Sequence, residues 1–579
     1  MNGKWLGVWM FLAGCFGGVS AAPYIGYVYP AALQIGTTNT LIVCGQGLRA
    51  LKDVCAGPDV ACLGIEPVPG FAPPTRDQRK YLVAWLDAIA AGNRARPPLP
   101  DVPHLDEWRS NHWWRVLGDL GPLELSLVEH WLYTPRNPLQ MSPALGQRAL
   151  VRLAVSPAAR PGVRAFRVYG VNGLSAPRPF LLTASPHVAE PRYAPRHRPL
   201  PPPSCIETFP CFVDGQIEPG QTDRFTFDLK AGQTVTFRVF AREFVPYIGD
   251  AVPGFFNPEL RLLNPAGKEA AVAMDYYYHP DPVLVFTPTT NGVHTLEIRD
   301  TLYRGRMDFV YSIAVQEGDV PPPVFDVPLT PLPDFALPLG AQVARFRDTI
   351  RRPHQVVRHE FEIPEPGEYV FDLLARRLGS PLDGRVTVCD AARPVVLAQF
   401  NDTTNTPLLC GSIIQTESDP IGRCRFAAAG RYVALVEDEI GVGGDAYTYT
   451  LRIYRPMPRF EVWARTSSFG PRRGKWQSFK VEAVRHDSFA GDIHLEADPC
   501  VRLGRRLIPA ASNIVVTSLQ SRAPAGGPIP FGIRAWAKID GATVVVPVVP
   551  ADVYNQAFAW DHLLPARSFM LMSEGRPDK

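Results

Sequence analysis

The chain lacks the signatures by which most enzymes announce themselves. It has no His-Glu-x-x-His, no Gly-x-Ser-x-Gly and no glycine-rich phosphate loop ending in Lys-Ser or Lys-Thr. That removes the motif-bearing zinc peptidases, serine hydrolases and P-loop nucleotide enzymes. A dominant charge is missing too: 59 Lys and Arg stand against 56 Asp and Glu, a net charge of +3. Nucleic acid is therefore not an expected partner, because phosphate neutralisation needs a clustered basic face. Cysteine is sparse, 10 in 579 residues. With no Cys-x-x-Cys, and no histidine pair near a cysteine pair, a zinc-finger site is disfavoured. Past the N-terminus no apolar run is long enough to cross a bilayer, so no transmembrane segment is expected.

Proline is what the chain has in excess. Its 61 residues are about double the usual share, and they cluster between 185 and 204 and between 319 and 340. Such stretches form neither helices nor inner strands and read as stiff linkers. A chain of 579 residues exceeds one hydrophobic core, and roughly three to five domains are expected.

The N-terminus has the layout of a secretory signal peptide over residues 1–21: Lys4, an apolar run from Trp5 to Ala13, then small residues up to Ala21. Leu12-Ala13-Gly14-Cys15 resembles a bacterial lipobox, which leaves a lipid anchor at Cys15 open beside simple cleavage. Either way the expected location is outside the cytoplasm, in the periplasm, at the cell surface or beyond. Oxidising surroundings would suit local disulfides, with Cys205 and Cys211 the favoured pair and two of each triplet Cys44/Cys55/Cys62 and Cys389/Cys410/Cys424 next.

Self-similarity organises the middle of the chain. Phe225 to Val315 and His359 to Ile453 read as diverged copies of one β-unit. Val235 to Arg242 answers to Tyr369 to Arg376, and Asn257-Pro258-Glu259-Leu260 answers to Ser380-Pro381-Leu382-Asp383. Asp281-Pro282, Gly292, Asp300 and Phe309-Val310-Tyr311 answer without a gap to Asp419-Pro420, Gly430, Asp438 and Tyr447-Thr448-Tyr449. One supersecondary design is used twice. Ahead of it lie alternating strands near Tyr27, Leu41 to Leu48, Leu150 to Val155 and Ala165 to Tyr169, interrupted by helices. A capping box, Thr75 with Gln78, opens the first helix, whose apolar face is Leu82, Trp85, Leu86 and Ile89 and whose stop is Gly92. A second helix is expected around Leu123 to Leu132. Behind the repeats, Phe479 to Val484, Gly491 to Leu495, Ile514 to Thr517, Phe531 to Ala537 and Val544 to Val549 alternate as in an Ig-like sandwich.

These residues carry a resemblance. Tyr29-Pro30, Gly36-Thr37-Thr38, Gly45-Gln46-Gly47-Leu48 and Asn172-Gly173-Leu174-Ser175 resemble the immunoglobulin-like IPT/TIG module. Gln216 to Gly220, Asp223-Arg224-Phe225 and Leu229 to Gln233 are similar to the bacterial pre-peptidase C-terminal (PPC) domain. The second copy lacks Asp-Arg-Phe before its first strand and carries Cys389, Cys410 and Cys424. The order of modules resembles large secreted multi-domain proteins of planctomycete-like bacteria. The expected architecture is mainly β, a series of Ig-like and PPC-like jelly-roll sandwiches. It comprises an IPT/TIG-like sandwich over 22–184 with a helical insert at about 75–135, a linker at 185–204, PPC-like sandwiches over 205–318 and 341–455 separated by the linker at 319–340, and an Ig-like sandwich over 459–579. The resemblance implies modules that aid secretion or bind collagen-like polymers or polysaccharides beside secreted peptidases.

Candidate sites are few. Calcium, a hard cation served by loop oxygens, could be held by Asp275, Asp281, Asp300 and Asp308 in the first copy and by Asp402, Asp419, Asp438 and Asp445 in the second. The competing role for an Asp at a strand end is an Asx-type turn. His104, Asp106, Glu107 and His112 group four ligand-type residues, but flanking Trp108, Trp113 and Trp114, with Trp131, suit a packing surface. His354 and His359-Glu360 have the wrong order for a zincin and read as polar residues entering a strand. Tyr276, Tyr277 and Tyr278 could stack a sugar ring or an extended peptide, or staple their own loop. The function expected is an exported, non-catalytic scaffold that binds an extracellular polymer or a cell-surface protein. The alternative is an accessory or cryptic member of a secreted peptidase or hydrolase system.

Overall fold

The period-2 patterns of the repeats become strands with one buried edge of side chains. In Asp223–Leu229, Phe225, Phe227 and Leu229 point into the core while Asp228 faces solvent. The computed structural model describes residues 22–573 apart from 70–73, 102–111, 134–141, 191–202, 248–253, 278, 320–341, 394, 402–412, 415–418, 471–473 and 557–559. It is mainly β throughout.

The first domain is a sandwich of two sheets. Tyr24–Tyr29, Thr38–Gln46, Gln147–Val155 and Val60–Pro67 lie side by side in one; Ala32–Gln34, Arg178–Thr183, Gly162–Gly170 and Leu51–Cys55 make the other. Leu41, Val43, Val151, Leu153, Phe166, Val168 and Phe180 fill the space between them. The helical insert leaves after Val60–Pro67. Its first helix, α1 (Arg76–Ala90), is closed by the expected capping box: the Gln78 N–H donates to Thr75 Oγ1 and Thr75 N–H to Gln78 Oε1. Two otherwise orphaned donors are satisfied at that end. Tyr81, Leu82, Trp85, Leu86 and Ile89 are buried. The second helix, α2 (Pro122–Tyr133), buries Leu125, Val128 and Leu132. Neither helix projects: their apolar residues, with Trp113 and Trp114, join Tyr27, Ile42 and Cys44 of the first sheet and the core of the first repeat in one continuous cluster.

Both repeats are sandwiches with the same strand order. In the first, Cys211–Gln216, Val310–Glu317, Val235–Phe240 and Val283–Phe286 are successive neighbours; in the second, Gln342–Thr349, Thr448–Tyr454, Gly367–Leu374 and Ile421–Phe426. The facing sheets run Asp223–Leu229, Gly292–Asp300, Pro258–Leu263, Glu269–Ala273 and Val357–Ile363, Gly430–Asp438, Gly384–Asp390, Val396–Phe400. Register matches as well, since Leu229 pairs with Gly292 as Ile363 pairs with Gly430. One sequence alignment shifts. Pro258 pairs with Asp300 and Gly384 with Asp438, so Pro258 answers to Gly384, and its likeness to Pro381 is a coincidence of turn composition.

The stretch read as a linker at 185–204 holds sheet at both of its described ends. His187–Ala189 and Ser204–Ile206 are short parallel edge strands on Cys211–Gln216 and Asp223–Leu229. Proline keeps strands off inner positions and tolerates edges, which is where these lie. Residues 320–340 of the second proline-rich stretch are outside the described residues.

The last domain returns to the first. Its long sheet, with Ile514–Ser521, Trp476–His486, Arg459–Ala464, Ala542–Gln556 and Ile533–Ile539 adjacent in that order, faces a small sheet of Ser468–Phe469, Phe569–Ser573 and Gly526–Phe531. Arg167 of the first domain donates to Ser468 Oγ (3.2 Å) and Ser467 Oγ (3.1 Å), and Ser467 N–H and hydroxyl donate to buried Asp552. Arg178, 1% exposed, lies with its guanidinium 4.2 Å from the centre of the Tyr554 ring and about equally far from Tyr247 (5.9 Å) and Tyr24 (6.0 Å), while its Nε donates to Ile25 O. Tyr24 and Arg178 belong to the first domain, Tyr247 to the first repeat and Tyr554 to the last. The second repeat closes the circle: Tyr277 of the first repeat meets Tyr447 edge-on at 5.7 Å, and Arg423 pairs with Asp487 of the last domain.

Desolvated cation–π contacts reach about 2 kcal/mol each. Arg178→Met, which keeps most of the volume and drops the charge, is therefore expected to cost about 3 kcal/mol at this junction. Calorimetry should then resolve separate melting of the last domain where the unaltered protein shows it melting with the first; an unchanged thermogram would contradict the role given to Arg178.

Candidate functional site

The matched aspartates have identical work in the two repeats. Asp281 is buried, and its carboxylate accepts from the backbone N–H groups of Ala241 (2.8 Å), Arg242 (2.9 Å) and Glu243 (3.2 Å). Asp419 accepts from Ala375 (2.9 Å), Arg376 (2.8 Å) and Arg377 (3.1 Å), the equivalent amides, and from Arg377 Nε. Each closes the turn that follows an inner strand of its sheet, Val235–Phe240 or Gly367–Leu374. Asp300 accepts from Asn257 N–H (2.9 Å), Leu302 N–H and Arg304 N–H (both 3.0 Å) and the Arg304 guanidinium. Asp438 accepts from Asp383 N–H (3.0 Å) and Val442 N–H (2.9 Å).

This corrects the calcium expectation at those positions. A calcium ion needs six to eight oxygens around it, whereas these carboxylates are surrounded by N–H donors and guanidinium groups that occupy the same lone pairs. Asp308 is likewise engaged by Arg306 at 2.5 and 2.8 Å. Asp445 pairs with Arg351 at the surface and Asp275 is exposed, far from forming a cage; Asp402 lies outside the described residues. Among the described residues no three His, Cys, Asp or Glu side chains converge as metal ligands.

The other candidates disperse. Tyr276 and Tyr277 meet edge to face at 4.6 Å on a tight turn closed by paired hydrogen bonds between Tyr276 and His279. Half-exposed Tyr277 (51%) spends one edge on Tyr447; Tyr278 is outside the described residues. His359 is buried in Val357–Ile363, stacked on Phe346 and bonded through Nε2 to Tyr449 OH (2.8 Å), and burial lowers its pKa. His354 sits on an exposed turn. His104, Asp106, Glu107 and the His112 side chain fall outside the described residues, as does Trp108. The expected Cys205 to Cys211 disulfide is not formed. Cys211 is a free, buried thiol on a strand of one sheet, while Cys205 lies on an edge strand of the opposite sheet. Cys55, Cys62, Cys389 and Cys424 are free thiols as well, and Cys44 takes part in no disulfide.

The groups that do converge were not visible in the sequence, and they line the junction of first domain and first repeat. His187 Nδ1 lies 2.6 Å from Asp214 Oδ2, and its Nε2 lies 2.7 Å from Thr183 Oγ1. A hydroxyl, an imidazole and a carboxylate in that order resemble a hydrolase relay. Thr183, however, is 3% exposed and its hydroxyl donates to Ser185 O. With its proton spent there, the hydroxyl accepts from Nε2, the reverse of the direction in which a base activates a nucleophile. Nearby, His130 of α2 meets buried Glu218 at 2.6 Å. Glu190 accepts from Tyr29 OH (3.2 Å) and Gln216 N–H (3.0 Å), and it shares a side-chain hydrogen bond with Asp223, which accepts from Tyr311 OH (2.8 Å) and Gln221 Nε2. Burial raises the pKa of both acids, that of Asp223 to about 7.

No protein-family model and no curated protein matches the chain. Among solved structures, an FMN-binding beta-glucuronidase from Facaelibacterium prausnitzii L2-6 is similar over 35% of this chain and 34% of its own, at 11% identity and a TM-score of 0.20. The Ruminococcus gnavus beta-glucuronidase is similar over 35% of this chain and 37% of its own, at 10% identity and a TM-score of 0.20. An ICAM-5 D1–D4 ectodomain fragment covers 93% of this chain and 98% of its own, at 10% identity and a TM-score of 0.11. At these scores none of them bears on what the chain does.

Two outcomes are expected. Asp281→Ala and Asp419→Ala should each destabilise their own repeat by about 2–4 kcal/mol, since one buried and two partly buried amides lose their acceptor, while calcium or EDTA leaves the melting of the unaltered protein in place; a calcium-dependent rise in melting temperature would overturn the structural role. Because burial raises the pKa of Glu190 and Asp223 in the folded protein, their stabilising contribution is complete below the ordinary carboxyl range and declines as pH rises, that of Asp223 being lost as pH climbs through about 7. Thermal stability followed from pH 5 to 8.5 should fall, and Asp223→Asn should flatten the slope.

Proposed function

We propose that the protein is an exported, non-catalytic scaffold that binds a cell-surface or extracellular protein through loops of its repeated sandwiches. The observation that supports this best is a pair of matched loop tips. After Asp300 and after Asp438 the chain makes the same turn: Tyr303 N–H donates to Asp300 O and Gly441 N–H to Asp438 O, and the aspartate side chain also takes the amide four residues on. The third residue is left-handed in both, Tyr303 at φ 55 and Gly441 at φ 75. Each turn thereby holds an aliphatic residue out into solvent, Leu302 at 68% exposure and Ile440 at 72%. A rigid loop that spends buried hydrogen bonds on presenting a large apolar side chain has the character of a binding anchor.

Aliphatic tips suit pockets on a protein. A sugar ring stacks on a flat aromatic face, and the exposed tyrosine nearest to that description, Tyr277, is partly committed to Tyr447. The described acids and histidines of the junction are likewise engaged in ties between domains. Export is inferred from the signal-like Lys4 to Ala21 segment.

The test compares the mature protein with a Leu302→Ser/Ile440→Ser double variant on immobilised collagen-type matrices, a glycan panel and isolated cell-surface proteins, beside peptidase and esterase assays. Saturable binding to a polypeptide, lost in a variant whose melting is unchanged, is expected. Binding to glycans alone that ignores the variant, or substrate turnover abolished by a single substitution, would contradict the proposal.

A further inference from the structure

We propose that the open edge of the second repeat, the strand Gln342–Thr349, is a docking site for an extended acidic segment of a partner protein, which adds to it in parallel as a short extra strand. This rests on the scaffold reading above and gives its partner a chemistry.

The first repeat shows how such an edge is filled. There His187–Ala189 pairs in parallel with Phe212–Asp214 on the outer side of Cys211–Gln216. The two repeats superpose by register: Phe212, Val213 and Asp214 pair with Ala314, Ile313 and Ser312, and Arg345, Phe346 and Arg347 pair with Arg452, Leu451 and Thr450. Ile313 and Leu451 hold the same place, opposite Val239 and Leu373 of the next strand. Arg345–Arg347 is therefore the counterpart of the segment that receives the added strand. Among the described residues Gln342–Thr349 has Thr448–Tyr454 on one side and no strand on the other. An unpaired row of N–H and C=O groups is a template for strand addition.

Charge selects the guest. In the first repeat the added strand complements its host, since His187 stacks on Phe212 at 5.2 Å and bonds to Asp214 at 2.6 Å. In the second repeat the host residues at those two positions are Arg345 and Arg347. Both are exposed, and neither has an ion-pair or hydrogen-bond partner for its guanidinium among the described residues. Several exposed arginines elsewhere on the repeat take carboxylates, Arg351 with Asp445, Arg358 with Glu360, Arg423 with Glu368 and Arg455 with Glu365, while Arg352, Arg425 and Arg431 have none among the described residues; Arg345 and Arg347 are the unpaired two that stand side by side on one face of an open edge. Residues two apart on a strand share a face, so a guest with carboxylates at alternate positions meets both guanidinium groups with charge-assisted hydrogen bonds while its backbone completes the ladder. The companion edge, Val357–Ile363, is also open, but its Arg358 is already paired with Glu360 and its charges are mixed.

The experiment uses the full mature chain and a fluorescent peptide of alternating valine and glutamate flanked by proline, with a lysine-for-glutamate peptide as control. Anisotropy should show saturable, salt-sensitive binding of the glutamate peptide, and hydrogen exchange should show the 342–349 amides becoming protected on binding. The exposed charge swap Arg345→Glu/Arg347→Glu should weaken that binding about tenfold and create binding of the lysine peptide. No binding of the glutamate peptide, equal binding by the charge-swapped variant, or amides of 342–349 already protected in the free protein would each overturn the proposal; the last outcome would assign the edge to this chain itself or to a second copy. A protein that still captures a partner through Leu302 and Ile440 yet ignores the peptide would overturn this inference alone and leave the scaffold reading standing.

Discussion

Arg178 decides the shape of the molecule. A guanidinium cannot be taken out of water without compensation, and the groups that compensate it come from three domains: the Tyr24 hydroxyl and Ile25 carbonyl beside it, the Tyr247 ring from the first repeat and the Tyr554 ring from the last domain. The arginine gathers these three aromatic faces and its hydrogen bonds only when the chain has folded back on its beginning. The Arg167, Ser467 and Asp552 cluster, buried a short way along the same interface, imposes the same condition with hydrogen bonds. Four sandwiches that could have hung in a row are drawn into a closed arrangement, and the described contacts of the second repeat with its neighbours, Tyr277 on Tyr447 and Arg423 on Asp487, follow from that closure.

Within this frame the duplicated unit was largely legible, because its signals are local. Alternation over five to nine residues, a Gly before each long strand and an Asp at each strand end are short-range patterns, and they returned as matching strand order and register. The Thr75 and Gln78 capping box was readable for the same reason. Positions were read better than roles. An Asp at a strand end looks the same in sequence whether a cation or a backbone amide fills its lone pairs, and the amides of Ala241 to Glu243 and of Ala375 to Arg377 are some 40 residues from the aspartates they bind.

The junctions were illegible for a related reason. Arg178 follows an ordinary Ala-Pro pair, and its partner Tyr554 also reaches Pro177 across 377 residues of chain. His187, Glu190 and Asp214 are single polar residues in or beside strands, with no periodicity that names a partner. Proline-rich sequence around them signals an extended chain, but extension suits an edge strand as well as a linker, and at the described ends of the stretch an unpaired neighbouring strand makes the difference. That ambiguity is what makes the two repeats informative together: one has its edges occupied by added strands, and the other, built to the same register, leaves them open among the described residues.

A closed scaffold presents its loop tips and its open edge in fixed relation to one another, which a flexible string of modules would not, and rigidity of this kind lowers the entropic cost of binding a partner at more than one point. The fixed relation between tips and edge depends on that closure. Small-angle X-ray scattering of the protein measures it most directly. The account predicts a pair-distance distribution with one main peak that fits the first and last domains in contact; a long-tailed distribution with shoulders at the spacing of separate sandwiches would contradict it.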